Sequence, residues 1–149
     1  MTTKKQQELS PAKKALHTAK WARTMTKWLV RYSSKVGARW NVVDFGGKTG
    51  SESRGIVDLM AIRKDHVTNV PGLKRGDLLE VVLIQTKGGT APRPTHEDVS
   101  RLSKVARHYG AEVVLAEWKK GKQPDLSKLK GKDWVHVEAA NIFNKPSVK

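Results

Sequence analysis

The chain has 149 residues, enough for one domain with a real core and too few for two comfortable ones. It contains no cysteine and no uninterrupted apolar run of membrane-spanning length, which excludes disulfides, thiolate metal sites and a spanning helix. The net charge is +15, which points to a polyanionic partner, nucleic acid before an anionic membrane surface.

The charge is unevenly spread. Residues 1–50 carry 11 Lys and Arg against 2 acids, residues 51–100 carry 7 against 7, and residues 101–149 carry 11 against 5. Basic flanks therefore enclose a neutral middle that holds half of the acids. The N-terminus lacks the apolar core of a signal peptide. A soluble, cytoplasmic protein is expected, nucleoid-associated if its partner is DNA, with no membrane partner.

Residues 1–9 are polar and predicted to be frayed or disordered. Ser10-Pro11 reads as an N-cap followed by proline at the first helical position, opening a helix over about 11–32. At about 100° per residue, Trp21, Met25, Trp28, Leu29 and Tyr32 share one arc. Lys13, Lys20, Arg23, Lys27 and Arg31 share another. This pattern predicts an amphipathic helix that buries the aromatic arc and turns the cationic arc to phosphates. No acid occurs between Glu8 and Asp44, whereas a merely solvated helix usually interleaves signs.

A first strand is expected over 39–45. The loop that follows, Gly46-Gly47-Lys48-Thr49-Gly50, lacks the glycine spacing of a nucleotide-phosphate loop, and no helical pattern follows it, so that reading is rejected. A second strand is predicted over 54–63, with Asp58 in its middle. A polar connection with a turn at Pro71-Gly72 leads to a third strand over 78–87, an apolar, β-branched run ending in Gln85-Thr86-Lys87 and then Gly88-Gly89. Antiparallel pairing of these two strands would bring Asp58, Gln85 and Lys87 together.

Pro92 and Pro94 prevent the ladder from continuing. Thr95 caps a second helix, with Glu97 and Asp98 in its first turn and Gly110 as its stop. Val99, Leu102, Val105, Ala106 and Tyr109 form its expected buried face. A fourth strand over 111–118 implies a crossover connection. Residues 119–132, with six lysines, two glycines and a proline, read as an exposed basic loop. A short strand over 134–137 and a brief helix near 138–143 complete the chain. The fold class predicted is α/β, a mixed central sheet of about five strands flanked by helices, as a single domain over 1–149.

Asp58 among apolar neighbours loses hydration at a cost of several kcal/mol unless a cation or metal compensates. Gln85 adds a neutral oxygen, and Lys87 a positive charge, from one face of the adjacent strand. A hard divalent cation such as Mg²⁺ takes oxygen ligands. Asp58, Gln85 and a main-chain carbonyl near Thr86 would supply the protein's share, with Lys87 stabilising charge on a phosphate.

The Gly55-Ile56-Val57-Asp58-Leu59 run followed by Gln85-Thr86-Lys87 resembles the PD-(D/E)XK nuclease superfamily. The helix ending at Tyr109-Gly110 before Val113-Val114-Leu115-Ala116 is similar in layout to small archaeal Holliday-junction-resolvase-like endonucleases. The resemblance covers about residues 40–118. It implies a restriction-endonuclease-like core, Mg²⁺ or Mn²⁺ as cofactor, and endonucleolytic hydrolysis of DNA, branched DNA in resolvase-like members, which often work as homodimers. It makes Asp58, Gln85 and Lys87 catalytic residues and Asp58, Gln85 and Thr86 metal ligands.

Two departures bear on that reading. Gln85 stands where the family usually has an acid, and the first helix lacks the glutamate that resolvases commonly add. Glu52 is the candidate replacement, with Asp44 second. Lys13, Lys20, Arg23, Lys27, Arg31, Lys48, Arg54, Arg93, Arg101 and Lys104 are the candidate phosphate contacts. The alternative is a catalytically weakened or inactive nuclease-fold protein that binds nucleic acid without cleaving it.

Overall fold

The computed structural model describes residues 10–34, 38–46 and 55–144. Its elements are α1 (Pro11–Ser33), β1 (Asn41–Asp44), β2 (Leu59–Lys64), β3 (Leu79–Gly88), α2 (His96–Tyr109), β4 (Glu112–Trp118), β5 (Asp125–Lys130), β6 (Asp133–Val137) and α3 (Ala139–Phe143). The six strands form one sheet in sequence order. β1, β2 and β3 are an antiparallel meander, and so are β4, β5 and β6. The two meanders join through the parallel β3–β4 pair, reached by way of α2. The predicted α/β class, mixed sheet and crossover are all present.

The helix ends follow the local chemistry. Ser10 Oγ accepts the Lys13 amide and Pro11 occupies the first turn of α1. Thr95 and Asp98 form a reciprocal capping box on α2, and Gly110 ends it in the left-handed conformation at φ 61°. α1 packs across β3, β4 and β1 and against α3. Val30, Leu59, Ala61, Val82, Ile84, Val114 and Phe143 lie in the core between that layer and the sheet. The alternate residues Leu83, Val113 and Leu115 are also buried, and α2 covers β4 with Val99 and Leu102. Among the described residues, no helix is long and apolar enough to cross a membrane.

Four expectations need correction. The faces of α1 do not divide as expected: Ala22, Arg23, Thr26 and Val30 are buried and Leu29 packs against the core, whereas Trp21, Trp28 and Tyr32 are 42%, 59% and 79% exposed. The cause is the closeness of helix and sheet. A Cβ placed on Gly88 would lie 2.8 Å from Thr18 Cγ2 and 2.9 Å from the Thr18 carbonyl oxygen. At that crossing only small side chains fit between helix and sheet, and the stripe Ala15, Thr18, Ala19 and Ala22 supplies them.

The second strand starts at Leu59, not near residue 54, which puts Asp58 at its mouth. The basic loop predicted over 119–132 contains β5, making six strands where about five were expected. Leu126 and Ser127 are buried there, and Lys128 pairs with Glu112. Antiparallel pairing with both β4 and β6, together with the burial of Leu126 and Ser127, places β5 in the sheet despite its lysines. On α2, Tyr109 is exposed and stacks edge-on against His108 rather than joining the buried face.

Candidate functional site

The β2–β3 ladder ends at Leu59↔Ile84, and just outside it the Asp58 amide donates to the Ile84 carbonyl at 3.0 Å. From the other side the Phe45 amide donates to the Asp58 carbonyl at 3.0 Å. Asp58 is therefore pinned between the end of β1 and the middle of β3. Its Oδ2 accepts the Thr86 amide at 2.8 Å and the Thr86 hydroxyl at 3.3 Å.

Gln85 is 7% exposed. Its Nε2 donates to the Ile56 carbonyl at 3.4 Å, an orientation fixed by chemistry because the amide oxygen cannot donate there. Among the described residues, buried Oε1 then has no hydrogen-bond donor, at a cost of about 1–3 kcal/mol. Lys87 leaves β3 on the same face as Gln85. Among the described residues it enters no ion pair.

Asp58, Gln85, Thr86 and Lys87 line one cleft of about 690 Å³, as the sequence predicts. Its opposite wall is the N-terminal half of α1, with Lys14, Ala15, Thr18, Ala19 and Arg23. Lys14 and Thr18 escaped the sequence reading. The available signal was the small-residue stripe Ala15, Thr18, Ala19 and Ala22, which marks the helix face that closes on the sheet. Among the described residues lining the cleft, three cations surround a single carboxylate.

Asp44, the second candidate for the upstream acid, is not among the residues lining the cleft. Its Oδ1 accepts the Gly46 amide at 2.8 Å and lies 3.4 Å from Arg23 Nε, while Oδ2 is 2.8 Å from Lys27 Nζ. Burial raises the Asp44 pKa, but the Lys27 hydrogen bond, the Gly46 amide and the two cationic charges outweigh it and the net shift is downward. This group ties β1 to α1. Glu52, Lys48 and Arg54 lie outside the described residues.

The described residues contain no group of three His, Asp, Glu or Cys side chains able to hold a metal ion. Asp58 and the orphaned Gln85 oxygen fit a hard ion only in the sparse way Mg²⁺ allows, with one carboxylate and the remaining positions taken by water or phosphate.

The candidate phosphate contacts divide. Lys13, Lys20 and Arg31 are exposed on α1. Arg23 and Lys27 do not face outward as expected, because Asp44 holds both. Arg93 is paired with Glu117 at 2.9 Å, and that hydrogen bond raises its pKa. Arg101 and Lys104 are exposed on α2, with Arg101 4.0 Å from Asp98. Comparison of the chain with family models, with curated proteins and with solved structures finds no match.

Proposed function

We propose that the chain is a nucleic-acid-binding protein whose α1–β3 cleft receives a phosphate backbone. The observation that carries this reading is the cleft wall itself, where Lys14 and Lys87 accompany one carboxylate, Asp58, with Arg23 behind them already held by Asp44. The acid-free helix α1 opens onto the same cleft with its N-terminal end, where the helix dipole favours anions. The net charge of +15 supplies the long-range attraction.

The test is fluorescence anisotropy of labelled duplex and single-stranded DNA and RNA across a salt series. Binding should weaken linearly on a log–log plot, with a slope of about −0.9 for each duplex phosphate neutralised. No binding at low salt to any of the four would end the proposal.

A second reading, metal-dependent cleavage of DNA, draws on the buried Gln85 Oε1, which has no donor among the described residues. Asp58 and Gln85 would hold the ion, which when bound would acidify a water and polarise a phosphate. Lys87 would neutralise charge gathering on the phosphate oxygens. Cleavage by the wild type in Mg²⁺ or Mn²⁺ that disappears in Asp58→Asn would select this reading. Bound substrate left intact in either ion would select binding alone.

A further inference from the structure

The exposed aromatic side of α1 is not used by the cleft. Trp28 and Tyr32, 59% and 79% exposed, form with Met25 and Leu29 one wall of a second hollow of about 530 Å³. Gln123 and Pro124, in the turn between β4 and β5, form the other wall. Gln123 also lines a third hollow of about 360 Å³ that contains Lys119, Lys122 and Lys87, together with Glu117 and Asp125. Glu117 is already neutralised by Arg93, and Asp125 lies 3.4 Å from His136. Lys87 in turn lines the Asp58–Gln85 cleft. Shared residues thus link the three hollows, from aromatic rings through lysines to the cleft.

We propose that this path seats unpaired nucleotides, with bases stacked on Trp28 and Tyr32 and phosphates following Lys119 and Lys122 toward Lys87. The inference rests on the nucleic-acid reading above and specifies its substrate class as single-stranded DNA or RNA, or an unpaired segment of a branched one. Exposed rings beside cations match a single strand, whose bases offer π-faces that a closed duplex keeps stacked inside.

A second copy of the chain fits this face poorly. A two-fold interface sets each patch against itself, and α1 contains no acid to meet Lys20 and Arg31 of its mate. Charge complementarity therefore selects a polyanion over self-association.

The experiment compares wild type with Trp28→Leu/Tyr32→Leu, which keeps apolar bulk and removes the planar rings, and with Lys119→Gln/Lys122→Gln. Anisotropy is read on single-stranded DNA, single-stranded RNA and duplex DNA, with thermal melting and sedimentation on each protein. The leucine pair should weaken binding of at least one single strand by about tenfold and leave duplex affinity within about twofold. The glutamine pair should reduce the steepness of the single-strand salt dependence.

Single-strand binding that is absent in wild type, or unaffected by the leucine pair, overturns this inference while duplex binding keeps the broader reading standing. Binding to none of the three by any protein overturns both. A lower melting temperature in the leucine variant would assign the rings to folding, and a lost dimer would assign them to self-association. Either result overturns the proposal.

Discussion

The β2–β3 pair carries a polar cluster at each end, and the two are built to opposite ends. At one, Arg63 is fully buried, pairs with Glu80 across the register at 2.8 Å, donates to the Ala38 carbonyl, and stacks over Trp40 at 4.4 Å. At the other, Asp58, Gln85 and Lys87 line an open cleft, and Gln85 leaves an oxygen without a donor. A closed cluster satisfies its charges within the protein and contributes to the fold. Among the described residues, the open one leaves a cation without an ion pair and an acceptor without a donor.

The largest effect is expected at the closed end. Glu80→Ala strands a buried guanidinium and should cost about 3–5 kcal/mol, measured as a shift in the urea midpoint at unchanged slope. Binding to nucleic acid should survive at temperatures where this variant remains folded. A loss below 1 kcal/mol would mean that the two ends are less different than their burial indicates.

At the open end Asp58→Ala removes the acceptor of the Thr86 amide and hydroxyl, so about 1–3 kcal/mol should be lost. Asp58→Asn retains an acceptor oxygen and should lose less. Equal losses in the two variants, by chemical denaturation, would show that charge and not hydrogen bonding anchors the residue.

Lys87→Ala should change stability by no more than about 0.5 kcal/mol, yet lower the magnitude of the duplex salt slope by about 0.9. An unchanged slope would remove Lys87 from the phosphate contacts.

Asp44 contributes below about 1 kcal/mol because the group is partly solvated. Its folded pKa lies below the unfolded value, so its stabilisation is complete above about pH 4 and fades as pH falls through the lowered folded value. Asp44→Asn should therefore flatten the stability profile below that pH and leave the neutral end of its slope unaltered. A profile that keeps its acid slope would assign that slope to other carboxylates.

Much of this contrast was legible in the residues. The apolar run that becomes β3 ends in Gln85-Thr86-Lys87, and strand alternation puts Gln85 and Lys87 on one face without any knowledge of the fold. Pairing with the run after Asp58 then brings the acid alongside. The partner of Glu80 was not legible, because Arg63 meets it through a register set by the 65–77 connection. Nor was the role of Arg23, whose position on α1 looks cationic and outward until Asp44 of a distant strand claims it.

The sequence by itself determined the alternation of helices and strands, the caps at Ser10, Thr95 and Gly110, and the grouping at the end of β3. Each depends on neighbours a few residues apart, where backbone periodicity and capping chemistry act. Tertiary structure alone decided which side of α1 is buried, that a lysine-rich stretch becomes β5, and which cations remain for a partner. Those outcomes depend on how closely Gly88 lets the helix approach the sheet and on ion pairs between residues far apart in the chain.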